Sequence, residues 1–154
     1  MPPKAVAVSP LEAHLGYWIR FVSNQVSHSF GLKLADRDVT VAEWVVLREM
    51  YEADSVVPSA LAERIGMTRG AISKLVDRLV AKALTIRTMS REDRRYQTVA
   101  LSAKGRALVP KLAALADQND AEFFGHLVAH ERETIESAMR AIVHRHGLRS
   151  VPVE

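Results

Sequence analysis

Two short helical segments joined by a tight turn constrain the fold of this chain more than any other feature. Pro58 suits the first turn of a helix, and Gly66 lies where a helix commonly ends in a left-handed residue. Thr68 can then cap a second helix over 69–82. The apolar residues of both segments recur at helical spacing and mark a buried face: Leu61, Ala62, Ile65, Ile72, Leu75, Val76, Leu79 and Val80. This arrangement is typical of a helix-turn-helix.

After Ala83 the sequence changes from a helical to an extended pattern. Residues 84–89 and 96–101 alternate roughly between apolar and polar side chains and are rich in β-branched residues, as strands are. Between them, residues 90–95 contain no apolar side chain. The pattern predicts a β-hairpin with a charged tip, placed as a wing directly after the second helix.

Longer helical segments flank this unit on both sides. Ser9 to Glu12 reads as a capping box with proline at the first helical position, and it predicts a helix from there to about residue 30, before Gly31. Thr40 and Glu43 form a second capping box, before an apolar helix that extends to about residue 52. Ser102 caps a helix that extends to about residue 126, and a last helix covers 130–146.

These elements predict a mainly α fold with a small β-hairpin wing. We expect a single domain over 1–154, with a winged helix-turn-helix over 38–101 flanked by dimerisation helices over 9–36 and 102–147. The outer helices carry more apolar surface than one small domain can cover. A homodimer, in which a second copy covers this surface, is the economical explanation.

Charge is distributed unevenly along the chain. Residues 60–106 contain eleven Lys or Arg and four Asp or Glu, a net charge of +7, whereas the remainder has ten basic and fourteen acidic residues, a net charge of −4. A cationic segment between anionic flanks is the distribution expected when one face meets a polyanion. A solvated charged surface is the alternative explanation.

The outward face of the helix over 69–82 supplies the first candidate DNA contacts. Arg69, Ser73 and Lys74 lie near the helix start, which enters a major groove most deeply, so we expect them at base edges. Arg78 is placed to meet phosphate, and Gly70 shares the outward face. Thr68 can cap the helix and also donate its hydroxyl to phosphate.

Two linked stretches resemble the MarR family of regulators. Residues 93–105, from Asp93 through Arg95 and Leu101 to Gly105, match every defined position of that family's wing signature. Residues 61–79 resemble its reader helices, and the resemblance extends over the whole helix order. It implies a sequence-specific, double-stranded DNA-binding regulator, expected to be a homodimeric repressor of a palindromic operator.

The resemblance also assigns roles within the wing. It implies that Arg95 enters the minor groove, where negative potential is focused, and that Asp93 orients it. Arg94 and Arg91 would then contact phosphates. An exposed ion pair within the hairpin is the alternative explanation for Asp93 and Arg95.

Family members are commonly released from DNA by a small, often aromatic, molecule, and the resemblance implies a crevice for it between reader and dimer helices. We expect this crevice to be lined by the first two helices and the start of the fifth. The candidate lining residues are His14, Tyr17, Phe21, Trp44 and Arg48. Core or dimer packing of these aromatic residues is the alternative.

Other classes of function find little support. The chain contains no cysteine, which excludes disulfides and thiolate metal sites, and we expect a cytoplasmic protein with no membrane segment. His126 and His130 are four residues apart but lack a third ligand, so no metal and no cofactor are expected. Without a phosphate-binding loop, nucleophile elbow or HExxH motif, we expect no enzyme. The alternatives are a winged-helix protein-interaction module, or an enzyme that uses His14 or His28 as a base.

Overall fold

A computed structural model describes residues 6–89, 92 and 97–149 of the chain. A short 3-10 helix, Leu11–Ala13, precedes the first α-helix. The elements that follow are α1 (Leu15–Ala35), α2 (Val41–Met50), α3 (Pro58–Ile65), α4 (Arg69–Ala81), β1 (Thr85–Met89), β2 (Gln97–Leu101), α5 (Ala103–Phe124) and α6 (Ala129–Arg145). This order is the mainly α fold with a β-hairpin that the sequence predicts.

One hydrophobic core holds the reader lobe, which we define as residues 39–112 together with the last turns of α1. The helices α2, α3 and α4 pack around it, and the end of α1 and the start of α5 close it. Its fully buried side chains come from every one of these elements and from β2: Leu34, Val46, Leu47, Leu61, Ile72, Val76, Leu79, Val99 and Leu112. Burial of this kind stabilises by about 25 cal/mol per Å² of apolar surface, so the lobe has a self-contained source of stability.

Local sequence signals set the helix ends inside the lobe. The predicted capping box of α2 is present, with the Glu43 amide donating to Thr40 Oγ1 at 3.2 Å and the Thr40 amide donating to Glu43 Oε2 at 3.0 Å. Gly66 ends α3 in the left-handed region, with φ of 76°. Thr68 caps α4 by accepting the Ala71 amide at 3.1 Å.

The two strands form an antiparallel hairpin in which Thr85 pairs with Leu101 and Met89 with Gln97. Val56, in the link between α2 and α3, adds a bridge to Val99 through two backbone hydrogen bonds of 2.8 Å. The sequence does not predict this bridge, because a single bridging residue has no strand periodicity. It fixes the base of the hairpin to the rest of the lobe.

The glycine that ends the resemblance to the family wing, Gly105, has a packing reason. A Cβ atom at this position would lie 2.1 Å from the carbonyl oxygen of Leu84, which is backbone and cannot move aside cheaply. Ser102 lies in the same junction, where its hydroxyl donates to the Ala83 carbonyl at 2.7 Å and accepts the Gly105 amide at 3.0 Å. The start of α5 is therefore held tightly against the entry to the hairpin.

Both predicted ends of the first helix are wrong. Ser9 does not cap it, because His14 takes an extended conformation and separates the 3-10 turn from α1. The indole of Trp18 donates to the Glu12 carbonyl at 2.9 Å and satisfies the group that a continuous helix would have used. At the other end α1 passes through Gly31 to Ala35, because the buried side chain of Leu34 holds its last turn in the core.

The outer helices contrast with the lobe. The first half of α1 and all of α6 present large apolar side chains to solvent: Leu15, Trp18, Ile19, Phe21, Val22, Ile135, Met139, Ile142 and Val143. One apolar residue of α4, Val80, is also exposed, although the sequence predicts it as buried. Within the described ranges, no helix is both long enough and apolar enough to span a bilayer.

Candidate nucleic-acid interface

The outward face of α4 carries three exposed cationic side chains, Arg69, Lys74 and Arg78. Every residue that the sequence assigns to this face is exposed, while Ile72, Leu75, Val76 and Leu79 turn inward. The exposed set is Thr68, Arg69, Gly70, Ser73, Lys74 and Arg78. The structure therefore places these six candidate contacts on one accessible side of one helix.

The cations of this face differ from the other cations of the lobe in what they contact. Over residues 6–89, 92 and 97–149, Arg69, Lys74 and Arg78 form no ion pair. In contrast, Arg64 pairs with Glu49 at 3.2 Å, and Arg106 donates to the Tyr51 carbonyl at 3.0 Å. Part of the +7 charge of residues 60–106 thus holds the lobe together. The three cations on α4 remain available to a polyanion.

Among the residues that the structure describes, none packs against the position of a Cβ atom at Gly70. A Cβ atom added there would meet nothing within 4 Å, and its φ is not positive. Glycine in a helix costs roughly 0.5–1 kcal/mol relative to alanine, so its place on the exposed first turn is not explained by folding. A missing side chain at this point allows another molecule to approach the helix backbone closely.

Lys82 connects the end of α4 to the start of α2, a contact that the sequence analysis missed. Its ammonium donates to Glu43 Oε2 at 2.9 Å and to the Asp38 carbonyl at 2.7 Å. Glu43 is only 1% exposed, so this carboxylate depends on its partners in the lobe. The capping box predicts the role of Glu43 at the helix start, but no sequence signal identifies its distant partner.

A second contact joins α4 to the hairpin. Arg87 Nη1 on β1 lies 2.8 Å from Asp77 Oδ1, which is on the exposed face of α4. The sequence analysis places Asp77 on that face but assigns it no role.

The four predicted contacts at the tip of the wing lie outside the described residues. They are Arg91, Asp93, Arg94 and Arg95, and their roles stay predictions. Both strands that lead to the tip are described, and their register brings Met89 opposite Gln97 at the last pair.

The predicted effector residues fall into two groups. On α1 the rings of Tyr17 and Phe21 lie 6.2 Å apart, and His14 is at the exposed start of the helix. On α2 the ring of Trp44 packs edge-on against Phe30 at 6.2 Å. About 13 Å of helix separates Phe21 from Phe30, at 1.5 Å per residue.

The cation of the second group already has partners within the chain. Arg48 pairs with Glu52 at 3.3 Å and lies over the ring of Tyr51, with its Cζ atom 5.9 Å from the ring centroid. The side chain is also about half exposed, so it can still be reached from solvent.

A polar cluster ties α1 to α5. Lys33 Nζ donates to Asn119 Oδ1 at 3.1 Å and to Glu122 Oε2 at 2.7 Å, and the buried Asn119 donates to the Val26 carbonyl at 3.1 Å. The hydrogen bond from Lys33 lowers the pKa of Glu122, and one from Gln118 adds to this effect. The cluster links α1 to the second half of α5 through residues far apart in sequence, so no local sequence signal predicts it.

His126 and His130 lie on either side of a helix break, as the sequence predicts. His126 follows α5, and His130 lies in α6. Among the residues that the structure describes, no group of three or more His, Asp or Glu could hold a metal ion.

Comparison with known proteins agrees with this geometry. A sequence profile described as MarR family matches residues 37–95. A helix-turn-helix-type transcriptional regulator of Bacillus cereus is 28% identical over 137 residues, which cover 84% of this chain and 88% of that protein. The structure of a cysteine-to-serine mutant of Escherichia coli MarR bound to operator DNA superposes with a TM-score of 0.77, at 26% identity over 84% of this chain and 93% of that one. The chain is therefore similar to MarR-family regulators, and the profile match spans residues 37–95.

A third similarity supports the MarR fold alone. The structure of BpsR from Bordetella bronchiseptica, which concerns regulation of its DNA binding by 6-hydroxynicotinic acid, superposes with a TM-score of 0.79 at 24% identity, over 88% of this chain and 97% of that one. The predicted winged helix-turn-helix fold is confirmed. The predicted class, a transcription regulator and not an enzyme, is confirmed by its MarR relatives.

Proposed function

We propose that this chain is a homodimeric MarR-family repressor that binds a palindromic DNA operator. The observation that carries the proposal is the exposed face of α4, on which Arg69, Lys74 and Arg78 form no ion pair with the described residues. Arginine and lysine at the start of a reader helix suit guanine O6 and N7 in the major groove. Binding to a chromosomal operator also implies a cytoplasmic protein.

The apolar faces of the outer helices support the homodimer. Ile135, Met139 and Ile142 recur at helical spacing on α6 and are each at least 40% exposed. Leu15, Trp18 and Ile19 also recur at helical spacing on α1 and are each at least 36% exposed. A second copy of the chain would cover both faces. Two-fold symmetry then places the two α4 helices about one turn of duplex apart, roughly 34 Å, and requires a near-palindromic site.

The wing completes the proposed interface. Arg95 would enter the minor groove with Asp93 orienting it, and Arg91 and Arg94 would contact phosphates. The fixed base of the hairpin supports this assignment, because Val56 and Val99 hold it against the lobe.

Selection of bound fragments from random duplexes, followed by titration at several salt concentrations, tests the proposal. We expect an inverted repeat, and an affinity that falls steeply as salt rises because phosphate contacts release counterions. Lys74→Ala or Arg95→Ala should weaken operator binding by at least about 1 kcal/mol. Lys111→Ala removes an exposed cation from α5 and serves as the matched control. If no duplex is enriched, the chain is instead a protein-interaction module.

A small aromatic effector would release the operator in this proposal. The residues proposed to line its site are His14, Tyr17, Phe21, Trp44 and Arg48, and an apolar wall with one cation suits an aromatic acid. The contact between Tyr17 and Phe21 and the accessible guanidinium of Arg48 support the site. The dimer should be titrated with benzoate and with 6-hydroxynicotinic acid. Absence of both binding and loss of DNA affinity would reject an effector of this class.

A further inference from the structure

An acidic side chain lies on the cationic face of α4. Asp77 is between Lys74 and Arg78 along the helix, and its side chain is 59% exposed. A carboxylate at a surface that meets phosphates opposes binding, because it repels the same charge that the neighbouring cations attract. Its presence on this face therefore requires a compensating role.

The partner of Asp77 lies on the other element that is proposed to reach DNA. Arg87 is the middle residue of β1, and its Nη1 atom is 2.8 Å from Asp77 Oδ1. Across the hairpin Arg87 pairs with Val99, which in turn bonds to Val56. The ion pair thus connects the exposed face of α4 to a strand whose position is already fixed from the opposite side.

We propose that the Asp77–Arg87 ion pair is a positioning device that sets the angle between α4 and the wing. The inference rests on the proposed function, in which α4 occupies a major groove while the wing occupies the adjacent minor groove. Both contacts can form together only if the two elements keep a fixed relative orientation. The pair therefore acts on operator affinity through geometry, although Asp77 itself repels DNA.

The sign of the effect separates positioning from electrostatics. Asp77→Asn removes a negative charge and frees the Arg87 guanidinium, and both changes favour tighter binding to any duplex. Positioning requires the opposite result for the operator, which is weaker binding. Asp77 is 59% exposed and Arg87 is 31% exposed, so the pair is partly screened by solvent and its loss should lower the melting temperature only slightly.

Glu49→Gln is the matched control for this substitution. Glu49 pairs with Arg64 at 3.2 Å, also within the lobe, so its replacement removes one acid and one ion pair without touching the junction between α4 and the hairpin. We expect Glu49→Gln to bind the operator as tightly as the wild type, or slightly more tightly.

The experiment measures four variants on two duplexes. The variants are Asp77→Asn, Arg87→Gln, the double variant and Glu49→Gln, and the duplexes are the sequence selected by the wild type and a shuffled sequence of equal length. We expect Asp77→Asn to lose about tenfold in operator affinity and to bind the shuffled duplex at least as tightly as the wild type does. The double variant should lose no more than the weaker-binding single variant, because the two residues act as a unit.

The outcomes distinguish the inference from the function on which it rests. If the wild type binds no duplex selectively, the proposed function fails and the inference falls with it. If the wild type binds selectively and Asp77→Asn binds the operator as tightly as Glu49→Gln does, only the inference is overturned. Additive losses in the double variant would also overturn it, since two independent contacts would then explain the data.

Discussion

The reader lobe and the outer helices of this chain differ in how much of their apolar surface is buried. In the lobe, large side chains such as Leu47, Leu61 and Ile72 are completely buried within one chain. On the first half of α1 and on α6, side chains of the same kind remain exposed, with Leu15 at 69% and Ile135 at 48%. The apolar side chains of the lobe are therefore buried within one chain, whereas those of the outer helices have no partner surface among the described residues.

The two regions differ in how deeply one of their ion pairs is buried, although both also contain exposed pairs. Glu43 and Lys82 form a largely buried pair that joins two elements of the lobe. On α6 the pair between Glu136 and Arg140 is exposed and lies within one helix, at i and i+4. Exposed pairs of that kind contribute about 0.3–0.5 kcal/mol, so they support the helix but do not fix its position.

We expect the largest effect from a charge placed on the exposed apolar face of α6. Ile142→Asp would bury a carboxylate in the proposed dimer interface, and two-fold symmetry would bury it twice, at several kcal/mol per ion. We expect mainly monomer at micromolar concentration, as measured by size-exclusion chromatography with light scattering. Operator affinity should fall as the dimer is lost.

Ser137→Asp is the control for the α6 substitution. Ser137 is exposed on the same helix but about 200° around it from Ile135, so the added charge should leave the assembly intact. If Ile142→Asp remained as dimeric as Ser137→Asp, the apolar face of α6 would have no part in assembly.

A second substitution tests whether the lobe depends on its internal ion pair. Lys82→Met keeps most of the alkyl chain but leaves the Glu43 carboxylate buried without its cation. We expect the free energy of unfolding to fall by about 3 kcal/mol, measured by urea denaturation. Lys111→Met removes an exposed cation and should change stability by less than about 0.5 kcal/mol. Equal stability of the two variants would contradict the assigned importance of the Lys82 contact.

We expect the smallest effect from alanine substitutions at two glycines, one from each region. Gly70 and Gly16 are each the second residue of a helix, and a Cβ atom would meet nothing within 4 Å at either position. Alanine should raise stability at both by up to about 0.5 kcal/mol, as measured by thermal denaturation. Only Gly70→Ala should weaken operator binding, because only that glycine lies on the proposed DNA face. Equal operator affinities of the two variants would remove Gly70 from the interface.

Elements that carry local signals could be predicted from the sequence. Thr40, Gly66 and Thr68 end or begin helices through contacts with residues three or four positions away, and all three predictions are confirmed. Local signals failed at Ser9, where the extended backbone of His14 and a hydrogen bond from Trp18 interrupt the predicted helix. A capping signature marks where a helix can begin, but it does not state whether later residues continue it.

The contacts that were missed in the candidate site are all distant in sequence. Lys82 meets Glu43 across 39 residues, and Lys33 meets Asn119 across 86. A charged residue on a helix can pair with many others, and only the packed fold selects one of them. The exposed face of α4 was predictable because a face follows from helical periodicity, whereas its link to Arg87 follows from the placement of the hairpin.

The double hydrogen bond between Val56 and Val99 has a mechanical consequence. Val56 lies six residues after the end of α2, and through it the hairpin stem gains a single-residue third strand. A rigid shift of α2 would move Val56, and the stem of the hairpin would change its orientation with it. We expect a molecule bound between α1 and α2 to redirect the wing from a distance, without contacting the exposed face of α4.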